Sequence, residues 1–121
     1  MYTIRVDAAR NRLYVTLVGS FSLEEMTKCG NETIEATRKL RPGYDVITDI
    51  SRFQTATVDV AKDIARVQAH FRATGVRRGI RVLGVNALSG MQFRRTGKDA
   101  QYSADDVATM AEAEQLLDAP R

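Results

Sequence analysis

Cys29 and His70 are the single cysteine and the single histidine of this 121-residue chain, and together they bound its chemistry. No disulfide can close within the chain, and a zinc site of the Cys/His type would lack ligands. A thiolate–imidazole pair is formally present, but Cys29 falls on the expected inner face of a helix, where a lone cysteine behaves as a small buried hydrophobe. A serine triad would have only His70 as its base. The chain holds no Gly-x-Ser-x-Gly elbow, no Gly-x-x-x-x-Gly-Lys phosphate loop, no Gly-x-Gly-x-x-Gly and no His-Glu-x-x-His. Asp45 and Asp49 share one face of an expected strand, but four residues at roughly 3.3 Å each hold them about 13 Å apart, too far to share a proton. An enzyme reading therefore requires a deep pocket lined by Asp49, Thr57 or His70. No cofactor and no metal is implied.

The segment Asp49-Ile-Ser-Arg-Phe-Gln-Thr-Ala-Thr57 joins the carboxyl end of an expected central strand to a helix start, where open α/β sheets place their ligand sites. Asp49 suits a hydrogen-bond acceptor for backbone amides at the strand's end. Ser51, Thr55 and Thr57 offer hydroxyls. Thr57 can cap the helix that follows. A phosphate on Thr55 or Thr57 would lie near the helix amides and add a charge of about −2, enough to make or break a partner contact.

The net charge of +3 is unevenly spread. Residues 1–65 balance, residues 66–98 carry eight basic groups and no acidic one, and residues 99–121 are acidic apart from Arg121. The run Met91-Gln-Phe-Arg-Arg-Thr-Gly-Lys98 reads either as a helix with Met91 buried and solvated arginines, or as part of an anion-binding patch. That patch would comprise Arg77, Arg78, Arg94 and Arg95 and would bind phosphate or an acidic partner. A basic patch without a nucleic-acid module makes a weak case for DNA or RNA. The acidic tail should neutralise part of the block, leaving the surroundings of Arg77 and Arg94 unpaired.

These groups are positioned by elements that the hydrophobic period lays out. Tyr2–Asp7 and Arg12–Gly19 alternate in the strand period around a hairpin turn at Ala8-Ala-Arg-Asn-Arg12. Ser22-Leu-Glu-Glu25 reads as a capping box, and Leu23, Met26, Cys29 or Gly30, Ile34, Thr37 and Leu40 form the inward stripe of a helix stopped by Arg41-Pro-Gly43. Tyr44–Ile50, apolar on both faces, reads as a central strand, and residues 51–57 as a polar loop. Val60, Ile64, Val67 and Phe71 stripe a second helix that ends at Thr74-Gly75. Gly79–Val85 is a further strand. A third helix begins at Asn86 or Ser89 and runs to about Lys98, Ser103–Val107 forms a short strand, and Thr109-Met-Ala-Glu112 opens a last helix that ends before Pro120. The order β-β-α-β-α-β-α-β-α implies an α/β fold, a mixed and largely parallel sheet with helices packed on it.

With 44% hydrophobic and 27% charged residues, the composition is that of one globular domain spanning 1–121, not of a tail or a fibre. Apolar runs fall far short of the roughly 20 residues of a transmembrane segment, and the amino terminus has no long apolar stretch of the signal-peptide kind, so a cytoplasmic protein is expected.

The order of elements, Asp45-Val-Ile-Thr-Asp-Ile-Ser51 entering a polar loop and helix, and Gly79-Ile-Arg-Val-Leu-Gly84 resemble the STAS domain, the fold of anti-sigma-factor antagonists. More narrowly, Leu40-Arg-Pro-Gly-Tyr-Asp-Val-Ile-Thr-Asp-Ile-Ser51, Gly75-Val-Arg-Arg78 and Met91-Gln-Phe-Arg-Arg95 are similar to its SpoIIAA-like branch of small bacterial proteins. The resemblance implies a non-enzymatic module that binds a protein partner, switched in some members by phosphorylation where the loop enters the second helix. Those members carry Asp-Ser-Ser-Gly there. This chain has Thr55-Ala-Thr-Val-Asp59, with Thr57 as the nearest stand-in. The alternative that the resemblance leaves open is a carrier or sensor of a small anionic or lipid-like ligand, with the second helix as a lid. A homodimer is expected if the second helix leaves an apolar surface uncovered.

Overall fold

The computed structural model describes residues 1–119; Pro120 and Arg121, the residue beyond the last helix and the one basic group of the tail, lie outside the described residues. Strands β1 (Tyr2–Asp7) and β2 (Arg12–Gly19) form the hairpin. Its turn is closed by Asn11 in the left-handed region and by the Arg10 amide donating to Asp7 Oδ1. Helix α1 (Leu23–Thr37), strand β3 (Asp45–Phe53), helix α2 (Val58–Ala73), strand β4 (Arg78–Val82), helix α3 (Ala87–Asp99), strand β5 (Asp105–Val107) and helix α4 (Met110–Asp118) follow.

The five strands lie in chain order, β1 antiparallel to β2 and every later pair parallel. With strands in sequence and crossovers of one hand, the connecting helices must fall on one face. The two cores show this division. Met26 and Cys29 of α1, Val60, Ile64 and Phe71 of α2, and Phe93 of α3 pack with Leu13, Val15 and Val46 on one side. Ala113 and Leu117 of α4 pack with Tyr14, Ile47, Ile80 and Val82 on the other. Strands β2 and β3 are therefore apolar on both faces.

Several expectations are corrected. Strand β3 runs on to Phe53, so Ser51 and Arg52 belong to the strand and the loop shrinks to residues 54–57. A bulge causes this: Thr16 pairs with Asp49 and Val18 with Arg52, so Ile50 and Ser51 together face Leu17. The extra residue shifts the alternation and turns both Ile50 and Phe53 into the same core. Strand β4 stops at Val82 because Gly84 turns left-handed and Asn86 bonds back to the Leu83 carbonyl. Strand β5 keeps only Asp105–Val107 of the expected five residues.

Leu23, expected inward, is exposed, because it is the first residue of α1 and overhangs the sheet's end. At that cap Ser22 accepts the Glu25 amide as expected, while the Glu25 carboxylate pairs with the amino-terminal ammonium at 3.0 Å. On α3 it is Phe93 that is buried, edge-on to Phe53, and Met91 that faces outward.

Candidate functional site

The carboxyl end of the sheet is built by β3 and held by α3. Asp49 Oδ1 accepts both the Ser51 amide (3.0 Å) and the Ser51 hydroxyl (2.7 Å), which satisfies the amide freed by the bulge. Asn86 donates to the carbonyls of Ile50 (2.8 Å) and Phe53 (2.7 Å) while its own oxygen caps α3 at the Ser89 amide. Gln92 grips Ala56 from both sides, accepting its amide and donating to its carbonyl, each at 2.7 Å. The 54–57 loop is thus pinned at its centre while Thr55 and Thr57 on either side stay exposed. Thr57 Oγ1 caps α2 by accepting the Val60 amide at 3.4 Å. Asp49, Ser51, Thr55 and Thr57 therefore sit at one end of the molecule, the first two bonded to each other.

The same end collects the apolar surface. Every exposed large hydrophobic side chain among the described residues, namely Met1, Leu23, Val58, Val85, Leu88 and Met91, lies where β1 begins or where α1, α2 and α3 start after the parallel strands. Val58 is 73% exposed, Val85 102% and Leu88 68%, values of side chains that touch almost nothing. Charges of both signs stand beside them: Glu24, Glu25 and Asp59 in the first helical turns, the amino-terminal ammonium paired with Glu25, Arg52 at the tip of β3, and Lys62 and Arg95 on the groove that Val58 lines. The helical stripes gave no sign of this rim. Its residues lie in or next to the starts of elements far apart in the chain, and only the parallel alignment of the strands brings them together.

The four arginines do not converge. Arg77 forks onto Asp45, and Arg78 donates to Asp105 and to the Leu116 carbonyl on the α4 side. Arg94 pairs with Asp106, whose side chain, one residue along β5, points to the opposite face. The expectation that Arg77 and Arg94 stay unpaired is thus overturned. Arg95 is exposed on α3 beside a groove shared with Val58, Ala61 and Lys62 of α2. The acidic tail also neutralises the hairpin, through Arg12 to Glu114 (3.2 Å) and Asp118 (2.9 Å).

Cys29 and His70 do not meet chemically. Burial pushes the Cys29 thiol up to about 12. His70 Nε2 bonds the Thr37 hydroxyl at 2.9 Å, and burial, then the nearby charges of Arg38 and Arg66, lower its imidazole below the ordinary value. A cavity of about 50 Å³ does lie between the sheet and helices α1 to α3, but Asp49, Thr57 and His70 are not among the residues lining it. Among the described residues no three acidic, histidine or cysteine side chains group as metal ligands, and no helix is long and apolar enough to cross a membrane. No protein-family model matches the chain, and no curated protein matches it.

Proposed function

We propose that this chain is a STAS-like, non-enzymatic interaction module that binds a protein through the 54–57 loop, the start of α2 and the apolar rim around them. The order of elements supports the family reading. The observation that carries the function is the gathering of exposed apolar side chains at the end where the hydroxyl-bearing loop lies. Contiguous apolar surface rimmed by polar groups is the composition of a protein-binding patch. Charges of both signs border this surface, Glu24 and Asp59 in the first turns of α1 and α2 with Arg52, Lys62 and Arg95, a mixed polar rim of the kind that surrounds protein interfaces. A phosphate on Thr55 would add negative charge beside Asp59 and weaken an apolar contact there.

The test compares wild type with Leu88→Glu and Val58→Glu by quantitative affinity capture from the source organism, with light scattering on the purified proteins. A specific partner retained by wild type, kept by the distant Arg38→Glu variant and lost by both rim variants with unchanged thermal stability supports the reading. A dimer of wild type that Leu88→Glu dissociates makes the partner a second copy. Capture patterns and mass that do not respond to either rim substitution refute it.

A further inference from the structure

Strand β1 ends one side of the sheet with its outer edge open: it pairs with β2 and has no strand on its other side. Which of its backbone groups face outward follows from the ladder. Met1 and Val18 exchange both hydrogen bonds, the Val18 amide donating to the Met1 carbonyl at 2.8 Å and the Met1 nitrogen to the Val18 carbonyl at 3.1 Å. In an antiparallel pair such bonded positions alternate with open ones, so Thr3, Arg5 and Asp7 also turn their groups toward β2. The N–H and C=O groups of Tyr2, Ile4 and Val6 point the other way, out of the sheet.

The same three residues carry apolar side chains, half-buried on the α1 side, where with Ala36 they line a groove of about 780 Å³ whose wall bears Glu32, Glu35 and Lys39. Natural edges are blunted by proline, by bulges or by free charge. Strand β1 has no proline, its register with β2 runs without a bulge, and the Arg5 guanidinium is drawn to the opposite face, 3.8 Å over the Tyr14 ring. Charge identifies the strand that fits. Helix α1 runs beside β1 in the same direction, tied to Met1 through Glu25 near its start and to Asn11 of the hairpin turn through Arg41 just past its end. Glu24, Glu25 and Glu32 outweigh Lys28 in the first part of this segment, and Arg38, Lys39 and Arg41 outweigh Glu35 in the rest. A two-fold axis beside β1 sets two such helices antiparallel, acidic part against basic part.

We propose that the chain forms a homodimer by pairing β1 antiparallel with β1 of a second copy, Ile4 opposite the partner's Ile4, so that the two sheets become one. In this register Ile4 bonds the partner's Ile4 and Tyr2 bonds the partner's Val6, and every outward N–H and C=O of the three residues finds its complement. Apolar side chains lie beside apolar ones over the merged grooves, and on the opposite face Thr3 lies beside the partner's Arg5. A slip that instead sets Arg5 against the partner's Arg5 would oppose like charges. Helix α1 stands between this interface and α2, so the pairing is separate from the 54–57 loop and holds whether or not the rim binds a protein.

Light scattering on the purified full chain, as its concentration is raised to about 1 mM, tests the pairing, and twice the chain mass is expected. Ile4→Pro removes an outward amide at the axis and spares the β1–β2 ladder, because an edge strand accepts proline where its N–H faces solvent. It should keep the melting transition and give the mass of a single chain. Thr3 is exposed, so Thr3→Glu should tighten the dimer and Thr3→Arg loosen it, each about fivefold, with the fold intact. If Ile4→Pro does not fold, the two Thr3 variants decide. Leu88→Glu on the rim should leave the mass unchanged. A single-chain mass throughout, a dimer indifferent to the charge at position 3, a dimer retained in folded Ile4→Pro, or one lost in Leu88→Glu overturns the proposal. So does a monomer whose captured protein partner is lost in Ile4→Pro, which makes the occupant of the edge a strand of another protein.

Discussion

Arg77 holds Asp45 with two nearly parallel hydrogen bonds, Nε to Oδ1 at 2.8 Å and Nη2 to Oδ2 at 2.6 Å, across the first rungs of β3 and β4. The partners differ in environment: the Asp45 side chain is 5% exposed and that of Arg77 34%. Removing Arg77 leaves a carboxylate buried without its cation, whereas removing the charge of Asp45 leaves a guanidinium that can turn to water. Arg77→Met should therefore cost about 2–3 kcal/mol and Asp45→Asn about 1 kcal/mol, measured as ΔG from urea unfolding. Equal costs would contradict the asymmetry.

His70 gives the fold a pH dependence with a definite sign. Its imidazole is lowered in the folded state by burial and by Arg38 and Arg66, so the unfolded chain binds a proton more readily. Its contribution is fully present above the unfolded value of about 6.5 and is lost as pH falls through the lowered folded value. Melting temperature should fall as pH is lowered below about 6.5, and His70→Gln should flatten that segment of the profile. Asp118, lowered first by its hydrogen bond from Arg12, acts in the same direction but in more acidic solution.

The Thr57 cap is long, at 3.4 Å, and exposed. Thr57→Ala should cost about 0.5–1 kcal/mol, the low end for a lost cap. Thr57→Asp should restore the loss, because a carboxylate both caps and complements the helix N-terminus. Chemical denaturation of the three proteins measures this; a Thr57→Asp variant as unstable as Thr57→Ala would mean that the hydroxyl serves something other than the cap.

The alternation of Tyr2, Ile4 and Val6, the stripe of Val60, Ile64 and Phe71, and the caps at Ser22, Thr57 and Thr109 each produced the element that they imply. These are local signals: the period of buried side chains and the chemistry of the turn lie within a few residues of each other in the chain. The ends of the strands were less legible. The bulge at Ile50–Ser51 depends on pairing with Leu17, and nothing within β3 itself announces it.

Nor did the basic block between Arg66 and Lys98 show in one dimension which of its members pair. Asp45 for Arg77, Asp105 for Arg78 and Asp106 for Arg81 and Arg94 are cross-strand or cross-layer neighbours. The sequence by itself determined an α/β chain with its helices, its caps and a hydroxyl-bearing loop at a strand's end, because those follow from short-range periodicity. Only the tertiary structure decided that the exposed apolar residues share one end and that Tyr2, Ile4 and Val6 lie on an open edge of the sheet, because both depend on the register and the hand by which distant segments pack.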